Sequence, residues 1–142
     1  MAETSPADLL RRWFEEVWNA DRIDLAGDIL AANAVVHGLD ETGAAAVGPE
    51  GFRPFFTKIK AAMPDIKFET DHVIEAGSYA TGRFTARATH TGDQLGVRAT
   101  GNVILMTGMV MVRAENGLIV EGWNEWDRLS MAMGIGAVVP AG

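Results

Sequence analysis

Apolar residues open the chain at three- and four-residue spacing: Leu9, Leu10, Trp13, Phe14 and Val17 form one helical stripe reaching to about Trp18. Ser5 or Thr4 can cap this helix, and its first turn holds Pro6 and Asp8, as helix starts prefer. Asn19-Ala20-Asp21 breaks the stripe. A second, shorter helix is expected from Asp21 or Arg22 to Ala31, with Ile23, Leu25, Ile29 and Leu30 apolar. Ala34-Val35-Val36-His37 reads as a short extended segment, and Gly38 to Val47 as a loop rich in Gly and Ala. Gly48-Pro49-Glu50-Gly51 starts a third helix with Phe52, Phe55, Phe56 and Ile59 on one face. It should end before Met63-Pro64-Asp65, because the residue before a proline resists the helical conformation.

From Ile66 the period changes to two. Ile66, Phe68, Thr70, His72 and Ile74 alternate with charged residues, the pattern of a half-buried strand with His72 in the inward phase. After the turn Ala76-Gly77-Ser78, a second strand sends Arg83, Thr85 and Arg87 one way and Phe84, Ala86, Ala88 and His90 the other. Thr91-Gly92-Asp93-Gln94 turns again, and a long strand is expected from Val97 to Arg113. Its centre, Val103-Ile104-Leu105-Met106, is apolar in both phases and predicts a strand covered on both faces. Glu115-Asn116-Gly117 is a hairpin signal, leading to a last strand and a short tail from Ser130 to Gly136. Helices first and a meander after predict an α+β fold, in which helices cover the apolar face of a curved sheet. The wide end of such a sheet is the default place for a small-molecule pocket.

Composition narrows the function classes. With 142 residues and 48% hydrophobic, the chain is read as a single domain, residues 1–142, with a core of its own. A net charge of −7 and scattered Lys and Arg argue against nucleic acid and against an anionic membrane surface. The absence of Cys excludes disulfides, thiol catalysis and thiolate metal sites. The three histidines show no i, i+4 or H-x-H spacing, so no metal site is expected. No apolar run approaches the ~20 residues of a membrane helix. The N-terminus is acidic and polar, unlike a secretory signal, so a cytoplasmic location is the expectation.

Candidate chemistry concentrates in Gly117 to Asp127, a turn, an apolar strand, two tryptophans and a carboxylate. An acid set among large apolar side chains is poorly solvated when ionised, which predicts a raised pKa and makes Asp127 the candidate general acid/base. Asp at a strand-to-helix junction is equally a common N-cap. With unbroken alternation Trp123 would share the phase of Asp127 and face the cavity, leaving Trp126 on the other side; both also suit a core. Glu121 and Glu125 fit solvent or a partner better, so the alternation must fail somewhere in this strand.

Several stretches in order resemble the SnoaL-like polyketide cyclases, or ester cyclases, of the nuclear-transport-factor-two-like superfamily. They are Trp18-Asn19-Ala20-Asp21-Arg22; Val36-His37-Gly38 followed by Gly48-Pro49-Glu50-Gly51-Phe52; Met63-Pro64-Asp65 and Thr89-His90-Thr91-Gly92; and Ile119-Val120-Glu121-Gly122-Trp123 with Asp127. The resemblance implies a cone-shaped α+β roll, with three N-terminal helices on a curved, mainly antiparallel sheet enclosing a pocket. It also implies a lyase- or isomerase-type enzyme that closes a ring by intramolecular aldol chemistry on an apolar, carbonyl-rich substrate, without metal or cofactor. Asp127 would be its acid/base, His90 would lie near the pocket mouth as a donor or a positioner of Asp127, and His37 would border the cavity. Trp13, Phe14, Phe52 and Phe55 would be core and cavity wall, and His72 is read as structural or pocket-lining. The family's founding cyclases carry a histidine in the middle of the third strand, where this chain has Met109, Val110 and Met111. Two alternatives remain. Epoxide hydrolysis in the same superfamily would need two carboxylates bridged by an arginine; a non-catalytic module would only hold an apolar ligand. The Met-rich third strand suggests a homodimer interface.

Overall fold

The computed structural model describes residues 4–141. Ser5 accepts a hydrogen bond from the Asp8 N–H and caps α1 (Pro6–Arg12). The chain then widens into a π-helical stretch, Trp13–Asn19, in which Ala20 N–H reaches Glu15 O and Arg22 N–H reaches Val17 O. The expected second helix is not formed. Ile23–Asp28 is a single 3₁₀ stretch, and Leu30 already belongs to β1 (Leu30–His37). The cause is the sheet, for Ile119 N–H donates to Ile29 O at 2.8 Å and draws the chain into extended pairing.

β2 (Ala46–Val47) is a short edge leading straight into α2 (Gly48–Ala62), which stops at Met63 before the proline, as the sequence predicts. β3 (Lys67–Ala76), β4 (Tyr79–Thr89), β5 (Val103–Glu115) and β6 (Leu118–Trp126) follow, and α3 (Arg128–Gly134) ends the ordered elements. One six-stranded sheet runs β2-β1-β6-β5-β4-β3, with β1 and β6 parallel and every other pair antiparallel. It curves without closing, and α1, the π-helical stretch and α2 fill its concave side. Leu9, Leu10, Phe14, Phe52, Phe56, Phe84 and Ile104 are among the buried residues of this core.

Three strand expectations need correction. His72 sits at φ 51° where the β3–β4 register shifts, so this bulge turns His72 to solvent and Val73 inward. β5 begins only at Val103, because residues 91–102 are held as a loop. Thr91 and Gly92 N–H both bond Ala62 O, the Asp93 carboxylate accepts from Ala99 N–H, and Gly101 N–H closes back on His90 O. The third concerns Val103 to Met106, which is covered on one face only. Ile104 and Met106 are buried, whereas Val103 and Leu105 are 51% and 57% exposed. The Asn116-Gly117 hairpin forms as expected, both residues having positive φ.

Candidate functional site

The inward phase of β6 is Gly122, Asn124 and Trp126, not Trp123 and Asp127. A register shift where β5 passes from Arg113 to Ala114, opposite Glu121 and Ile119, resets the alternation. Trp126 Nε1 donates to the backbone oxygens of Gly38 and Leu39, at 3.2 Å each, which fixes the indole. Asn124 Nδ2 donates to His37 O at 2.9 Å, which fixes the amide with Oδ1 left without a partner among the described residues. Both bonds need the chain after β1 to lie against β6. Gly38 makes that approach, at φ 79°, where a Cβ would stand 2.1 Å from Asn124 O.

These two side chains close an apolar cavity between sheet and helices. Its walls include Trp13, Phe14 and Trp18 from the π-helical stretch, Phe52 and Phe55 from α2, Phe68 and Phe84 from the sheet, and Met131 from α3. Asn124 is the one polar side chain among its lining residues, and none is ionisable. The aromatic rings brace each other: Trp13 meets Phe52 edge-on at 4.7 Å, and Phe55 meets Trp126 at 6.5 Å. An inner extension lined by Leu10, Leu30, Val110 and Ile119 continues past Asn124. Outward, Leu39, Phe55, Ile59, Trp126 and Met131 also line a mouth chamber that carries Asp40, Glu41, Lys58 and Arg128. The open space is about 60 Å³ in the deep cavity, about 40 Å³ in the extension and about 300 Å³ in the mouth. Drug-sized ligands need roughly 300–1,000 Å³. Only the mouth reaches that size at rest, so the deep part admits a slim chain or a ring edge.

The sequence-predicted site residues divide sharply. Phe14, Phe52 and Phe55 stand in the cavity wall, whereas Asp127, His90, His37, His72 and Trp123 do not. Asp127 is exposed and caps α3, accepting from Ser130 N–H at 2.9 Å and from Ser130 Oγ–H at 2.5 Å. Those bonds, the hydroxyl's foremost, hold its carboxyl below the ordinary carboxylate range, the reverse of the expected rise. His90 is fully buried at the end of β4, away from the cavity wall. Its Nδ1 accepts from Thr100 N–H at 3.2 Å and lies 3.0 Å from Thr100 Oγ1, pinning the 91–102 loop, and its Nε2 is buried without a partner among the described residues.

His37 and Trp123 lie on the outer face of the sheet. There His37 Nε2 meets Glu121 at 2.8 Å, its ring stacks on Trp123 at 5.7 Å, and Trp123 stacks on Tyr79 at 6.5 Å. His37 is linked to the cavity only indirectly, its backbone oxygen accepting from the Asn124 amide. Asn124 and Trp126 are the residues the sequence reasoning misplaced or missed. The signal was present: Glu121 and Glu125 both read as outward residues, which leaves Gly122, Asn124 and Trp126 inward. Among the described residues no three His, Asp or Glu side chains are grouped to hold a metal ion. No described helix is long and apolar enough to cross a membrane.

A curved, unclosed sheet wrapped on helices around an apolar cavity defines an α+β roll. The chain belongs to the SnoaL-like polyketide cyclase family, whose sequence profile matches residues 8–134. It is similar in structure to IdmH, a candidate polyketide cyclase from Streptomyces antibioticus. The two are 27% identical, with a TM-score of 0.81 over 94% of this chain and 99% of that one. A candidate polyketide cyclase from Acidithiobacillus ferrooxidans shares the fold at 22% identity and TM-score 0.78, covering 98% of this chain and 100% of its own. A candidate SnoaL-like polyketide cyclase from Jannaschia sp. CCS1 does so at 18% identity and TM-score 0.82, covering 98% and 100%. No curated protein matches the chain.

Proposed function

We propose that the chain binds a slim, apolar, carbonyl-bearing molecule across the deep cavity and its mouth chamber and promotes its ring closure by holding it folded. The observation that carries this reading is the cavity wall itself, aromatic and aliphatic throughout with one oriented amide, Asn124. Confinement removes the entropy of folding a flexible chain back on itself. A methylene between carbonyls is a fairly strong carbon acid, and water reaching it from the mouth takes its proton. The enolate carbon bonds to a second carbonyl carbon of the same molecule, and that carbonyl's oxygen takes the proton back as the ring closes. The second N–H of Asn124 Nδ2 would then face the enolate oxygen as a fixed donor. Asp127 does not act as the base in this reading, since its carboxylate is engaged by Ser130 and held low. Epoxide hydrolysis has little support, because no carboxylate lines the deep cavity.

The same absence of ionisable groups favours a second reading, a ligand-binding module without turnover. The test is decane-2,4-dione, offered to wild type, Asp127→Asn and Asn124→Leu. Binding and proton–deuteron exchange at its central methylene are both measured. The proposal expects binding and accelerated exchange in wild type and Asp127→Asn, with exchange lost in Asn124→Leu. Exchange lost in Asp127→Asn with binding kept would restore Asp127 as the base and overturn this account. Binding without accelerated exchange in any of the three would leave the module.

We also propose that a second copy of the chain covers the outer face of β5. Leu105 and Met109 there are each 57% exposed, beside Val103.

A further inference from the structure

The mouth chamber holds two cations, Lys58 and Arg128, which lie near Asp40 without forming a close ion pair among the described residues. Among the described residues, neither Lys58 nor Arg128 has a carboxylate within 4 Å. The Arg128 guanidinium lies over the Trp126 indole, 5.7 Å from the ring centroid, and its Nη1 is buried with no hydrogen-bond partner among the described residues. A buried guanidinium N–H left unpaired is costly, since it loses its water and gains nothing in exchange. The same Trp126 ring forms the wall between mouth and deep cavity. A molecule filling the deep cavity therefore exits past Arg128 and Lys58.

We infer that the ligand of this cavity ends in a carboxylate held at the mouth by Arg128 and Lys58. The inference rests on the deep cavity being the ligand site and adds its head group, making the ligand an apolar carboxylic acid bearing the reacting carbonyls along its chain. A monoanion fits better than a phosphate dianion. Asp40 and Glu41 stand in the same chamber but beyond 4 Å from either cation, so one negative charge placed between Arg128 and Lys58 gains their attraction while a second meets growing repulsion from the two carboxylates. Asp40 accepts from Thr42 N–H at 2.9 Å and Thr42 Oγ–H at 2.6 Å, and its carboxyl is held low chiefly by that hydroxyl, with Lys58 and Arg128 helping at longer range. Arginine suits the task because its planar fork can take both carboxylate oxygens while remaining stacked on an indole.

The test compares decanoic acid with methyl decanoate, which share the apolar body and differ in the charge of the head. Affinity at pH 7 is measured by tryptophan fluorescence in wild type, Arg128→Gln and Lys58→Gln. Wild type should bind the acid about tenfold or more tightly than the ester. Arg128→Gln should remove most of that preference and Lys58→Gln part of it, while both variants bind the ester as wild type does. Equal binding of acid and ester by wild type, or a preference that survives both substitutions, would overturn the carboxylate site and leave the cavity reading intact. Failure of wild type to bind either compound would overturn the cavity reading and the head-group inference together. A preference lost only along with ester binding would mean that Arg128 supports the wall alone, which also overturns the inference.

Discussion

The two faces of β6 share nine residues of one strand and have opposite chemistry. Inward, Gly122, Asn124 and Trp126 face cavities walled by aromatic rings, and no ionisable side chain among the described residues lines the deep part. Outward, Glu121 pairs with His37 at 2.8 Å and lies 3.6 Å from Arg113, with Trp123 stacked between His37 and Tyr79. The difference teaches that titratable residues near this cavity in sequence are kept out of it in space. A strand alternates sides at every residue, so a single bulge moves a whole set of side chains from one face to the other.

The largest expected break in that comparison is on the inner side. Phe52 is 1% exposed and packs edge-on against Trp13 and Trp18, so Phe52→Ala should lower unfolding free energy by about 3–5 kcal/mol in urea titration. Next comes Asn124→Leu, which leaves His37 O without its donor and should cost about 1–3 kcal/mol by the same measurement.

A smaller effect lies in acid. Asp65 and Asp127 are held below the ordinary carboxylate range, chiefly by the hydroxyls of Thr89 and Ser130. A lowered folded-state pKa means stability that is fully present above the unfolded value near 3.9 and is lost as pH falls through the folded value. Stability should therefore be insensitive to these groups from pH 5 to 8 and fall below about pH 4. Thr89→Val and Ser130→Ala together should flatten that fall when melting is followed against pH. The smallest stability change belongs to the outer face. Leu105→Lys should alter monomer stability by no more than about 0.5 kcal/mol while shifting sedimentation from dimer to monomer.

How much of this was legible in the sequence follows from the same distinction. The capped first helix, α2 with its aromatic face, the alternation of β4 and the Asn116-Gly117 hairpin all rest on local signals, and each forms. What periodicity could not reveal was where alternation breaks. His72 at positive φ flips β3, and the register shift between β5 and β6 exchanges Trp123 for Trp126. The 3₁₀ stretch and the 91–102 loop depend on bonds to β6 and to the end of α2, partners far away in sequence. The cavity wall was half visible, because Phe14, Phe52 and Phe55 follow helical spacing. Its amide was legible only through its neighbours, since Glu121 and Glu125 facing outward leave Asn124 inward.

The central claim is that the ligand meets Asn124 and leaves Asp127 in its cap. The most direct measurement is two-dimensional NMR of the Asn124 side-chain amide and the Ser130 backbone amide during titration with decane-2,4-dione. The account predicts a saturating shift at Asn124 with Ser130 unmoved. A saturating shift at Ser130, with Asn124 unmoved, would contradict it and return the chemistry to Asp127.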